Sequence, residues 1–193
     1  MSRISMVLAA VAMAAVVSTG AQAFDDFGGM FVDLYGGAAL PGVSSYDGTD
    51  YDMHWGGAIG AAVGVQTPVE GLALKLDLMA SGADYVGYEY YDIGVENVSL
   101  MAVGEYAVPV TDGLELYGSL GLGGVLVYYY DTDYSGVGAG YQAALGGRAA
   151  LSENVSLFGE VKYLSTFSDV DTNGYDIRYP TTNVLSGLRF SFD

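Results

Sequence analysis

The chain has no cysteine among its 193 residues. Disulfides, thiol nucleophiles and thiolate metal sites are therefore excluded. So is the lipidated cysteine of a bacterial lipoprotein. Basic residues are scarce as well: 6 Lys plus Arg stand against 23 Asp plus Glu. A chain this acidic repels phosphate backbones, so no nucleic-acid partner is expected. No Cys–His cluster, phosphate-cradling glycine loop or nucleophile elbow occurs, which leaves no enzymatic constellation and no cofactor to expect. Strong acidity can also mark disorder. An apolar fraction of 51% and 17 Tyr argue against that, because disordered chains lack such groups.

Long apolar runs are missing too. The longest, Met6 to Val17, has 12 residues, and a spanning helix needs about 20. It follows Arg3 and precedes Ala21-Gln22-Ala23. A positive start, a short apolar stretch and an A-x-A site read as a cleaved signal peptide over 1–23. Residues 24–193 are then expected to form one domain.

What is present is a period of two. Eight segments alternate apolar and small or polar residues: 30–40, 55–66, 72–81, 97–108, 114–128, 141–151, 155–164 and 182–192. Helical spacing never holds for long, and 29 Gly suit neither helices nor a soluble core. Short connections at Thr67–Gly71, Pro109–Gly113 and Ser152–Asn154 alternate with longer loops at 41–54, 82–96, 129–140 and 165–181. Ten residues tilted about 40° span roughly 25 Å, the height of the apolar band of an outer-membrane barrel. The expected fold is all-β: an eight-stranded antiparallel up-and-down transmembrane β-barrel.

A soluble barrel alternates as well, with its apolar side inward. Three features place the apolar side outward. The opposite face carries Ala73, Ser99, Ser119, Gly121, Gly123, Ala144 and Gly146, and small residues suit a narrow lumen. Asp33, Lys75, Asp77, Glu105, Glu115, Arg148, Glu160, Lys162 and Arg189 fall on that same face. They form a nearly balanced set, as an enclosed lumen requires. The apolar-face aromatics cluster at two heights. Trp55, Tyr128, Tyr141 and Tyr163 lie at the outer ends, and Tyr106, Phe190 and Phe192 at the inner ends. Two such girdles mark the membrane interfaces.

With these features and the closing Val184-Leu-Ser-Gly-Leu-Arg-Phe-Ser-Phe192, the chain resembles the small OmpA/OmpX/opacity-type outer-membrane barrels. The resemblance implies residence in a Gram-negative outer membrane and contact with its lipid. It also implies recognition of the last strand by the barrel-assembly machinery, with Phe192 as the terminal aromatic residue. Asp193 departs from the pattern by placing that residue second from last. The resemblance further implies a lumen filled by salt bridges, sometimes opening as a narrow gate.

The loops offer other candidates. Their acids outnumber one base, Arg178, and Tyr residues are interspersed. They suit an extracellular ligand or a cation. Asp169, Asp171, Asn173 and Asp176 form a weak calcium candidate. D-x-D-x-N-G opens an EF-hand loop, but position 12 is Pro180 and the flanks read as strands. His54, the one His, precedes Trp55 at the rim and reads as a polar interface residue. The functional expectation is a non-enzymatic structural or surface-interaction protein of the outer membrane. The alternative is a narrow, gated, porin-like channel.

Overall fold

The computed structural model describes residues 28–42, 44–46, 49–84, 86, 94–129, 135–172, 175–178 and 180–192. The expected signal peptide over 1–23 lies outside them. Twelve strands follow in order: β1 (Gly28–Pro41), β2 (Ser44–Tyr46), β3 (Thr49–Tyr51), β4 (Gly56–Gln66), β5 (Leu72–Asp84), β6 (Gly94–Thr111), β7 (Leu114–Tyr129), β8 (Ser135–Ala150), β9 (Val155–Thr166), β10 (Val170–Thr172), β11 (Tyr175–Arg178) and β12 (Thr181–Phe192). Eight of them close into one barrel in the order β1-β12-β9-β8-β7-β6-β5-β4. Every neighbour is antiparallel, and β12 pairs with β1 to leave no edge.

The stagger can be read from the registers. Partners lead from Phe31 to Gly64, Lys75, Val103, Gly121, Gln142, Leu164 and Thr181, and return to β1 at Pro41. That is ten residues beyond the start. With about 3.3 Å per residue and 4.8 Å between strands, the strands tilt by about 41° around a barrel of about 8 Å radius. A lumen of this size is filled by side chains or holds one small ligand.

The barrel strands cover their expected segments, except that β4 begins one residue late at Gly56 and β8 stops one residue early at Ala150, and most run further at the loop end. β5 continues to Asp84, β6 begins at Gly94 and β8 at Ser135. The expected loops at 82–96 and 129–140 are therefore shorter, because paired strands satisfy their backbone groups by carrying on past the apolar band. The loops at 41–54 and 165–181 hold a second sheet, in the order β10-β11-β2-β3.

The expected turn at Pro109–Gly113 is also shorter. Pairing persists to Thr111↔Leu114, with a bulge at Val110. Pro109 has no N–H to give a ladder, so a bulge beside it suits the sheet. The turn proper is Asp112-Gly113. Gly71 and Gly113 have φ of 78° and 88°. Alanine at Gly113 has space, so it should cost only the left-handed backbone penalty, about 1–2 kcal/mol. At Gly71 the new Cβ would also meet Ala107 O at 2.4 Å. Urea titration of the folded barrel should therefore find Gly71→Ala the more damaging of the two, and equal losses would refute the steric argument.

The two faces separate as expected. Leu120, Leu122, Val137 and Leu145 are exposed outward, and Phe31, Met79, Met101 and Leu164 are buried inward. In water so much exposed apolar surface would drive aggregation. In a bilayer it is the solvated face.

Candidate functional site

Alternation points every second side chain of each strand into the lumen. All nine charged residues expected there face inward, and eight of them are buried. Glu115, at the inner mouth, keeps 41% of its side chain exposed.

Register decides which charges meet. Asp33 on β1 stands directly across from Arg189 on β12, at the seam that closes the barrel. Arg189 Nε donates to Asp33 Oδ1 at 2.6 Å and Nη2 to Oδ2 at 2.7 Å. This fork-to-fork pairing is the strongest arrangement open to an arginine and a carboxylate. The same guanidinium donates to Glu105 Oε1 at 2.9 Å and lies 3.7 Å from the Phe31 ring centroid. Glu105 also accepts from Lys75 Nζ at 2.7 Å and from Arg148 Nη1 at 3.0 Å. One buried carboxylate is thus held by three cations. Arg148 continues from that centre toward the inner mouth to Glu115, with Nη2 at 2.6 Å and Nε at 3.0 Å from Oε2.

A second group sits further along the lumen. Lys162 Nζ donates to Asp77 Oδ2 at 2.7 Å, and lies 3.1 Å from Glu160 Oε1 and 3.2 Å from the Tyr35 hydroxyl. Asp77 also accepts from the Tyr35 hydroxyl and from Gln142 Nε2. The Tyr117 hydroxyl donates to Glu160 at 3.0 Å. Ions this deep are tolerable only when paired and hydrogen-bonded. Five acids against four bases leave one carboxylate in excess, and the exposed member, Glu115, is where water can solvate it.

Tyr35, Tyr117 and Gln142 were not among the expected site residues. Strand parity would have found them, since Tyr35 lies two residues after Asp33 and Tyr117 two after Glu115. Lys75 bonds to Glu105 on the neighbouring strand β6, and Lys162 keeps Glu160 of its own strand while reaching across the barrel to Asp77 on β5.

At the inner mouth a cavity of about 410 Å³ reaches Glu105, Glu115 and Arg148, with Glu70 and Tyr106 at its side. Outside, Trp55, Tyr106, Tyr163 and Phe192 are exposed, while Tyr128, Tyr141 and Phe190 are partly covered. Tyr141 packs against Tyr163 and against Phe167, with centroids 6.1 and 5.1 Å apart. Phe167 thus extends the outer girdle beyond the expected set.

The calcium candidate falls on a strand pair. Asp171 stands opposite Asp176, and Asp169 accepts from Arg178 Nε at 2.7 Å. Asn173 and the side chain of Asp176 lie outside the described residues. Among the described residues no three acidic, His or Cys side chains gather as a metal site. Glu96, expected in a loop, is a buried residue of β6.

A family model described as outer membrane protein beta-barrel domain matches residues 9–190. The chain belongs to this family. It is an outer-membrane β-barrel protein. Solved structures agree on the fold. Neisserial surface protein A superposes with a TM-score of 0.64 at 15% identity, over 84% of this chain and 97% of that one. OprG from Pseudomonas aeruginosa gives 0.52 at 16% identity, over 86% and 97%. Ail of Yersinia pestis, in complex with the heparin analogue sucrose octasulfate, gives 0.50 at 16% identity, over 84% and 99%. No curated protein matches the sequence.

Proposed function

We propose that this protein serves the outer membrane in a structural or surface-interaction role, without enzymatic activity and with a lumen plugged by its charged side chains. The observation that carries this reading is the ion-pair network itself. It joins β1, β5, β6, β7, β8, β9 and β12 through short contacts, so opening a path means separating several buried pairs at once. The partners are outer-membrane lipid around the aromatic girdles and the assembly machinery at the strand ending in Phe192. At the loops, an extracellular ligand or cation completes the set. Ail holds an anionic heparin analogue. The loops here are acidic, so they favour a cationic or polyhydroxyl partner instead.

The alternative is a narrow gated channel for ions or small solutes. The inner cavity favours it, because Arg148 and Glu105 of the network line it. The refolded barrel in a planar lipid bilayer should be electrically silent while shown to be folded and inserted. Discrete current steps that change in Arg148→Ala or Arg189→Ala would sink the plugged reading and establish the channel.

A further inference from the structure

The outer half of the lumen is built from different chemistry than the inner half. Outward along β6 from Glu105, the inward residues are Val103, Met101, Ser99, Asn97 and Val95. Each pair of residues climbs about 5 Å at this tilt, so Asn97 lies about 20 Å beyond Glu105. Ser81 on β5 is its direct partner. Thr166 on β9, with Thr181 and Asn183 on β12, faces them from the far side of the ring. The inward-facing charges end at Asp77 and Lys162.

These five residues are at least nine-tenths buried, yet among the described residues Ser81 Oγ, both amide atoms of Asn97, Thr166 Oγ1, Thr181 Oγ1 and Asn183 Oδ1 have no hydrogen-bond partner. Stable structures rarely leave buried polar atoms unpaired, because each one is costly. At this end of the lumen the loop sheet forms a cap, one side chain of which joins the buried cluster of Val95, Met101 and Leu164. Val170 of the loop sheet is 2% exposed. Its Cγ2 lies 2.8 Å from where a Cβ on Gly138 would stand, so it fills a notch that only a glycine leaves open. Among the described residues, the chain flanking the cap is tied by four backbone bonds: Phe167 N to Ala139 O at 3.0 Å, Gly42 N to Pro180 O at 2.8 Å, His54 N to Asp84 O at 2.9 Å and Val86 N to Asp52 O at 3.1 Å. Closing the cap buries Val170 but strands five polar residues. Lifting it exposes the valine and hydrates them. The two terms oppose, which is what a two-state element needs.

We propose that the outer lumen is a recess that opens to the cell exterior when the loop sheet lifts from Gly138, and that it binds small uncharged solutes through Ser81, Asn97, Thr166, Thr181 and Asn183. The lining offers amides and hydroxyls beside Met79, Met101 and Leu164, and no charge of its own to replace the water of an ion. A small polyol or amide fits this chemistry. The recess rests on the plugged reading only for its closed inner end.

The cysteine-free chain allows a clean test. In Asn97→Cys, with folding checked by the mobility shift on heating, uncharged methyl methanethiosulfonate should label the thiol. Its anionic sulfonatoethyl analogue should be slower by about tenfold. Adding Val170→Asp should speed labelling about tenfold, and molar glycerol should slow it about threefold. Glu153→Cys, on an exposed turn, should show none of these three effects, and Ser81→Cys replaces Asn97→Cys if that variant fails to fold. A thiol that stays unlabelled with and without Val170→Asp overturns the recess. So does labelling indifferent to reagent charge and to glycerol. The readout needs no current, so the recess and the plugged lumen fail separately.

Discussion

Glu105→Gln is expected to cost the folded barrel about 3–5 kcal/mol, the usual loss when one partner is removed from a buried ionic group. Glu105 holds Lys75, Arg148 and Arg189 together. A neutral amide presents one acceptor and one donor where two acceptors stood, and it faces three cations. Asp33 still pairs Arg189 and Glu115 still pairs Arg148. Lys75 is left with Asp33 at 3.6 Å, the longest contact in the network. The matching control is Glu115→Gln. That side chain touches Arg148 alone and is 41% exposed, so its loss should stay within about 1 kcal/mol. Urea titration of both variants in lipid vesicles checks the contrast. Equal losses would mean that Glu105 is not the centre of the network.

The second large effect tests which side faces lipid. Leu120 is 73% exposed, near the middle of β7 on the outer face. Leu120→Arg should destabilise the inserted barrel by about 2–4 kcal/mol, the cost of a cation at the bilayer midplane. Val110→Arg, beside the inner turn, should cost no more than about 1 kcal/mol, since the penalty falls toward the interface. In a soluble barrel the first substitution would be harmless on an exposed surface. A flat response along the strand would therefore contradict the membrane assignment for this face.

Much of this molecule was legible before any coordinates. The period of two placed all eight barrel strands, because a half-lipid, half-lumen strand cannot hide its alternation. Parity alone put Asp33, Lys75, Asp77, Glu105, Glu115, Arg148, Glu160, Lys162 and Arg189 on the inner face, since a one-residue slip would turn every side chain over. The turn glycines Gly71 and Gly113 stood out as connections for the same local reason. Phe167 was not legible as part of the outer girdle, because it lies beyond the alternating run of β9.

The pairings were settled elsewhere. Asp33 meets Arg189 across 156 positions of chain, and no local pattern carries that distance. It follows from ring closure and a stagger of ten residues, which set the height of each strand against the next. The same closure puts Tyr35 against Asp77 and Lys162, and Val170 into the notch at Gly138. The sheet joining β2 and β3 to β10 and β11 likewise exists only because the barrel brings the first and last outer loops together. Sequence by itself determined the strands and their faces, which depend on neighbours one and two residues away. Tertiary structure decided which charges share the interior and which loops cover it, because those contacts depend on the circumference.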